Sequence, residues 1–350
     1  MASAGTIAID GSKLAASTRR SKDSEGYEEW LQRIEAEIAD ILAEADRTDA
    51  TEDEAYGDRR GDELPEGIVK REDLKRRIEE VMRDMKGGGK TNLTDPDARF
   101  IKERHGVVNP SHNCQLAVTE GQVIVGPDVT THAVDRHELA GMIEQAERNL
   151  EQDLEQVIAD SGYASYENCE YLAGRKTEAY TPDQFFVQMR KRSEGGKEPY
   201  HKDNATSKRE RDCYICPEGK VLLQKKRRIS HVGKVKRKQI IYRGMDCEDC
   251  PTKKLCTKQK ARTVARELRE DLLEEMRAKL LTEDGRRVYR KRMHTAEAPF
   301  GHLKHNLGYK TFLLGSTEKV RAEFKLMCIG YNLAKIWRLI RKRGEEELHI

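Results

Sequence analysis

The chain is poor in apolar material. Only 37% of its 350 residues are hydrophobic, 6% are aromatic, and the mean hydropathy is −0.83. No apolar run approaches the ~20 residues that a membrane-spanning helix needs, and the opening residues hold no apolar stretch of signal-peptide length. These absences predict a soluble, cytoplasmic (nucleoid-associated) protein with no membrane partner and a real but modest core. Its length suits one large domain or two. Disulfides are not expected either: eight cysteines without a secretory signal argue for thiols or metal ligands. Charge is plentiful, and its distribution says more than the net of +3. Residues 23–86 hold 22 acids and 11 bases, whereas residues 202–262 hold 19 bases and 7 acids. The basic block suits a phosphate backbone as partner; a solvated face is the plainer reading.

Periodicity predicts the elements. Residues 5–10 read as a strand. A helix over 24–46 carries Tyr27, Leu31, Ile34, Ile38 and Ile41 on one face, and an acidic loop follows over 47–67. A second helix over 66–86 is stopped by Gly87-Gly88-Gly89, and the two helices form a hairpin. Residues 113–118 and 122–130 pair around Glu120-Gly121, and a helix from His137 to about Leu154 buries Leu139, Met142, Ile143, Ala146 and Leu150. A strand (156–160), a short helix (166–172) and a strand (178–180) come next. Residues 183–262 are polar, basic and cysteine-bearing. Residues 263–296 read as helical, with Leu268, Leu272, Leu273 and Met276 in register. The last helix, 316–343, turns Val320, Phe324, Met327, Tyr331 and Ile336 inward, and its bases Arg338, Arg341, Lys342 and Arg343 suit the negative end of the helix dipole.

Three acids stand out. Asp10 ends the apolar run Thr6-Ile7-Ala8-Ile9 and precedes Gly11-Ser12-Lys13; Asp160 ends Val157-Ile158-Ala159 and precedes Ser161-Gly162-Tyr163; Glu297 lies in a basic helical stretch. An Asp before Gly also serves as a plain turn former. Asp95 and Asp97, around Pro96, compete with Asp10. Two strand-end aspartates and a helical glutamate are the hard-oxygen set that a two-metal phosphoryl-transfer site requires.

These residues resemble the DDE transposases of bacterial insertion sequences. Asp10-Gly11-Ser12-Lys13 and Asp160-Ser161-Gly162-Tyr163 resemble that family's first and second acid motifs. Its C-terminal signature is similar to Ala296-Glu297-Ala298-Pro299-Phe300-Gly301-His302-Leu303-Lys304, then Gly308-Tyr309 and Glu318 to Phe324, with Tyr289 and Arg290 or Arg292 as a looser match. The resemblance implies an α/β fold: an RNase H-like mixed five-stranded sheet flanked by helices, with an inserted helical hairpin and a cysteine-rich insertion. On that plan residues 1–22 supply the first strand, 23–90 the acidic hairpin, 91–185 the rest of the core, 186–262 the basic insertion and 263–350 the closing helices.

The resemblance also implies an activity, namely metal-dependent DNA cleavage and strand transfer, with Asp10, Asp160 and Glu297 holding two Mg²⁺ or Mn²⁺. Lys304, Arg290 and Arg292 are its expected DNA contacts. The expected partners are double-stranded DNA (transposon ends and target) and a second copy of the chain, as a homodimer on DNA. Similar transposases carry a helical DNA-binding region ahead of the first strand, so the early strand here reads as an N-terminal truncation. An inactive remnant that only binds DNA, and a nuclease that cuts without joining, are the rival expectations.

The cysteines form their own pattern. Cys213-Tyr214-Ile215-Cys216 and Cys247-Glu248-Asp249-Cys250 are two CxxC pairs, and Cys256 is a fifth candidate. Four of these would close a structural Zn²⁺ site that contributes folding energy to a segment short of large apolar residues. Either Cys213 or Cys256 is spare; the later cysteines and Cys216 match similar chains best, which points to Cys213. Cys114, Cys169 and Cys328 fall on apolar faces and are expected in the core.

Overall fold

The computed structural model describes residues 5–17, 21–56, 66–85, 89–102, 106, 108–184, 186, 200, 204–232 and 235–347. They form a mixed α/β protein with one six-stranded and one five-stranded sheet. By contacts the chain divides into two units: residues 1–9, 119–121 and 136–295 form unit 1, and residues 10–118, 122–135 and 296–350 form unit 2.

Strand β1 (Thr6–Ala15) runs through both, and is longer than the predicted 5–10. In unit 2 it is followed by α1 (Ser24–Tyr56) and α2 (Glu66–Asp84). The predicted hairpin is present, with Tyr27, Ile34, Ile78 and Val81 buried between the helices and Trp30, Leu31, Ile38 and Leu74 packed around them. Helix α1 runs on past 46 because residues 47–56 contain no Gly or Pro to end it. The rest of the predicted acidic loop (57–65) and Gly87-Gly88 lie outside the described residues.

The sheet of unit 2 is built on β3 (Val108–Thr119), whose first half pairs antiparallel with β2 (Arg99–Lys102) and whose second half pairs antiparallel with β4 (Ile124–Thr130). The other edge of β3 neighbours β1. Strand β2 was not expected: it is four residues long and buries only Ile101, too little to give a periodic signal.

In unit 1, α3 (Leu139–Leu150) buries Leu139, Met142, Ile143 and Ala146, as the periodicity predicts. Strand β5 (Gln156–Ala159) pairs parallel with the first residues of β1, in the register Thr6↔Gln156 to Ile9↔Ala159. Helix α4 (Tyr166–Ala173) is capped by Ser165, whose hydroxyl accepts from Asn168 N at 3.1 Å. Strand β6 (Glu178–Tyr180) continues the parallel pairing.

The polar insertion is a second sheet, which the sequence reading did not contain. Strands β7 (Thr206–Lys208), β8 (Cys213–Ile215), β9 (Val221–Val232), β10 (Val235–Gly244) and β11 (Thr263–Glu267) are antiparallel in chain order, with the short helix α5 (Lys253–Cys256) before β11. Tyr214, Leu222, Tyr242 and Val264 pack one of its faces. Lys225-Lys226-Arg227-Arg228 hides the alternation of β9, because bases stand on both faces. Residues 263–267 are therefore strand, and helix begins only at α6 (Glu270–Leu281) and α7 (Glu283–Arg292). Leu268, predicted inside a helix, is 47% exposed between β11 and α6.

A helical run carries the chain from unit 1 into unit 2, which resumes at Ala296. A π-helical turn at Met293–Glu297 leads into α8 (Ala298–Gly301), and a second occupies His302–Asn306. The final helix is α9 (Thr317–Glu347). Its Val320, Phe324, Met327 and Tyr331 join Phe300, Leu303 and Phe312 against Leu14, Leu116, Val118, Ile124 and Val129 of the sheet. Ile336 is not inward but 46% exposed. Nor do the bases end the helix: it continues through Glu345, Glu346 and Glu347, so the predicted dipole role of Arg338 and Arg341 is not realised, and the side chains of Lys342 and Arg343 lie outside the described residues. No described helix is long and apolar enough to cross a membrane.

Candidate acidic site and cysteine cavity

The parallel register of β1 and β5 closes on the pair Ile9↔Ala159. The next residues along the two strands are Asp10 and Asp160, each half-buried. Both strands are apolar up to that point, since Ile7, Ala8, Ile9, Val157, Ile158 and Ala159 are all fully buried. Strand β5 ends there, whereas β1 runs on through Asp10 to Ala15, so Asp10 does not end its strand as the sequence predicts. A turn fixes Asp160: its Oδ1 accepts from Gly162 N at 2.7 Å and its carbonyl from Tyr163 N at 3.3 Å. Asn168 braces the same turn by donating to the carbonyl of Tyr163 at 2.6 Å.

A polar network that sequence reasoning missed holds the residues after Asp10. Asp135 accepts from Asn113 Nδ2 at 2.7 Å, Gln115 Nε2 at 2.8 Å and Lys13 Nζ at 3.3 Å. The signal for it was present: Ser111, His112, Asn113 and Gln115 are polar within a strand otherwise fit for a core, and all four are buried. Buried amides need partners, and Asp135 supplies one. A Cβ on Gly11 would stand 2.6 Å from both Asp135 Oδ1 and Gln115 Nε2. Gly11→Ala is expected to destabilise the chain by about 1–3 kcal/mol through overpacking, read as a fall in thermal midpoint; an unchanged midpoint would show that the network yields freely.

Lys304 belongs to the same place in unit 2. Its Nζ donates to Ser12 Oγ and to the Lys13 carbonyl, both at 2.6 Å. The structure thus brings the signature lysine to the segment directly following Asp10, where it ties down β1. Glu297, also in unit 2, is half-buried, between buried Thr295 and Ala296 and buried Pro299 and Phe300. Glu297 ends one π-helical turn and Lys304 lies in the other. Such wide turns re-aim side chains from the α-helical phase and recur at functional sites. In unit 1, Arg290 is exposed, and Arg292 is half-buried with its guanidinium 6.0 Å from the ring centroid of Tyr289.

Asp95 and Asp97 have structural employment. Asp95 is fully buried; its Oδ2 lies 2.6 Å from His112 Nε2 and its Oδ1 accepts from Ser316 N at 3.1 Å. Asp97 accepts from Thr317 N at 2.8 Å, which caps α9. Glu323 likewise holds the loop before α9, accepting from Leu313 N at 2.9 Å and Leu314 N at 3.0 Å.

In unit 1 the sheet edge carries a small cavity lined by Cys216, Cys247, Cys250 and Cys256 together with Lys220 and Arg262. Cys213 is elsewhere: it is buried in β8 opposite Leu223. The turn after β8 wraps the first thiol, with Lys220 N donating to Cys216 Sγ at 3.3 Å and Gly219 in the left-handed region at φ 75°. A Cβ on Gly244 would strike Cys247 Sγ. The hydroxyl of Thr252 beside Cys250 holds that thiol below its ordinary range, while burial raises Cys256. Lys220, Lys253 and Arg262 beside four thiols suit thiolate chemistry, with Glu218 as the one acid of the lining. As they stand, no described His, Cys, Asp or Glu residues form a metal-ligating group of three or more. Cys114, Cys169 and Cys328 are core residues, as expected; burial pushes Cys169 up to about 11 and Cys328 up to about 12.

Residues 215–337 match the family model of a transposase DDE domain. Over this stretch the chain is similar to that domain. The matched stretch contains Glu297, Lys304 and the four cavity cysteines, and begins after Asp10 and Asp160. No curated protein and no solved structure matches the chain.

Proposed function

We propose that the chain is a DDE transposase that cleaves DNA and joins strands, with Asp10, Asp160 and Glu297 as its catalytic carboxylates on an RNase H-like sheet. The observation that carries this reading is the register Ile9↔Ala159, which sets two aspartates as the next residues on neighbouring parallel strands. Asp160 opens the loop at the carboxyl end of β5, where open α/β sheets keep their chemistry. The donor set is hard oxygen and suits Mg²⁺ or Mn²⁺. When bound, such ions activate the attacking oxygen and stabilise the leaving one. The protein's own part is to hold the carboxylates: the Gly162 N–H orients Asp160, the π-helical turn orients Glu297, and Lys304 with the Asp135 network fixes the segment after Asp10. Arg290 and Arg292 contact the DNA backbone. Strand cleavage and strand transfer on labelled duplex ends, with wild type beside Asp160→Asn and Glu297→Gln, tests the reading. DNA binding without product from wild type would favour the remnant instead.

The four cavity cysteines are proposed to hold a structural Zn²⁺, with Cys213 spare. Convergence of Cys216, Cys247, Cys250 and Cys256 on one cavity supports this choice. The chain is also proposed to work as a homodimer on DNA. Along α9, Leu326, Ile329, Leu333, Ile336 and Ile340 are 46–68% exposed at alternating steps of three and four. This is the spacing of a coiled-coil seam. Leu333→Glu with Ile336→Lys is expected to convert a dimer to a monomer by light scattering with the fold retained; an unchanged mass would remove α9 as the pairing surface.

A further inference from the structure

The β9–β11 sheet has two unlike faces. Tyr242, Val264 and Leu222 point to its packed side with Tyr214. The other side is an open groove of about 460 Å³. Its floor is apolar and flat, formed by the cross-strand neighbours Ile241 and Ala265, and its sides carry Lys225, Lys226, Arg228, Arg243 and Lys260. No acid lines it. Among the described residues Lys225, Lys226, Arg243 and Lys260 have no carboxylate partner, and Arg228 donates only to Gln239 at 2.9 Å.

That arrangement is electrostatically costly when empty. Like charges gathered on one sheet face destabilise it, and acids are available nearby: unit 1 pairs Arg266, Arg269 and Arg277 with Asp271, Glu167, Glu170 and Asp183. Bases that serve folding are thus paired, and the bases of the groove are not. Five cations along a concave, acid-free surface match an extended row of phosphates.

We infer that this groove binds the sugar-phosphate backbone of duplex DNA without reading its sequence. Duplex DNA, as against another polyanion, rests on the transposase reading. Sequence-blind binding follows from the ligand set: lysines and arginines on an open face meet phosphates, which carry no sequence information.

The test is duplex binding by fluorescence anisotropy across a salt series. It compares wild type, the neutralised variant Lys226→Gln/Arg243→Gln/Lys260→Gln, and the charge-keeping variant Lys226→Arg/Arg243→Lys/Lys260→Arg. Each lost phosphate contact lowers the slope of log K against log salt by about 0.9. The neutralised variant is therefore expected to lose about two to three from that slope, equally on unrelated sequences, and the charge-keeping variant to retain it. An unchanged slope in a neutralised variant that melts like wild type would overturn the groove while leaving the transposase reading intact. Wild type that fails to bind duplex at low salt would overturn both. Groove-dependent binding with no metal-dependent product from wild type would leave the groove standing and remove the catalytic reading. Glu297→Gln should bind like wild type, which separates binding from chemistry.

Discussion

Asp160→Asn and Glu297→Gln should each reduce strand cleavage and strand transfer by ~10³-fold or more, about 4 kcal/mol of transition-state stabilisation, while leaving DNA binding and the melting temperature near wild type. Both substitutions preserve shape and remove a charge. Asn keeps the oxygen that accepts from Gly162 N–H, so the turn after β5 should survive. Glu297 is half-buried at the end of its π-helical turn, and Gln fills the same volume. What disappears is the negative, hard-oxygen donor that a divalent ion requires. The comparison with Asp95→Asn is informative. Asp95 is fully buried against His112 and Ser316 N, so its loss should appear as lower stability, with the catalytic rate per folded molecule kept. A folded Asp160→Asn that retains full activity would sink the three-acid assignment.

The second large effect is expected at the cysteine cavity. Cys250→Ser should abolish the binding of about one Zn²⁺ per chain, measured by metal analysis. It should also melt the second sheet at a temperature well below that of the rest. Structural zinc contributes on the order of 10 kcal/mol to small domains whose apolar residues cannot hold them. Among the described residues, this sheet's packed face offers only Tyr214, Leu222, Tyr242 and Val264 as buried apolar residues. Cys213→Ala is the control: its thiol lies inside β8, away from the cavity, so zinc should stay bound and the cost should be at most about 2 kcal/mol. A chelator without effect on the melting of wild type would exclude zinc as a structural element. With the metal stripped, Cys250 is expected to react first with an alkylating agent, and already at a pH below that of an ordinary thiol, because the neighbouring Thr252 hydroxyl favours its thiolate.

Periodic segments were legible and masked ones were not. Helices α1, α2 and α3 and strands β5 and β6 declare themselves through apolar spacing, although Ile68 of α2 is buried without being named by it and Leu150 of α3 is only half-buried. Strands β7 to β11 were invisible for a physical reason. One face of their sheet carries lysine and arginine, and β9 has four consecutive bases, so alternation is drowned in charge. The same pattern made β11 look like the start of a helix. Short β2 gives no signal, because a single buried residue has no period.

The candidate site divides in the same way. The sequence by itself determined which residue types are available: acids that end apolar runs, a glutamate with a lysine seven places on, and cysteines in pairs. These are local facts, readable from neighbours along the chain. Only the tertiary structure decided which of them meet. The β1–β5 register joins residues about 150 apart in sequence, Lys304 reaches Ser12 and Lys13 across most of the chain, and Asp135 gathers Asn113, Gln115 and Lys13. The resemblance already names Cys213 as the spare thiol; the structure adds that it is buried in β8 opposite Leu223. Spacing counts residues, whereas only the three-dimensional packing shows that Cys213 is buried within β8 while Cys216, just past the end of that strand, lines the cavity.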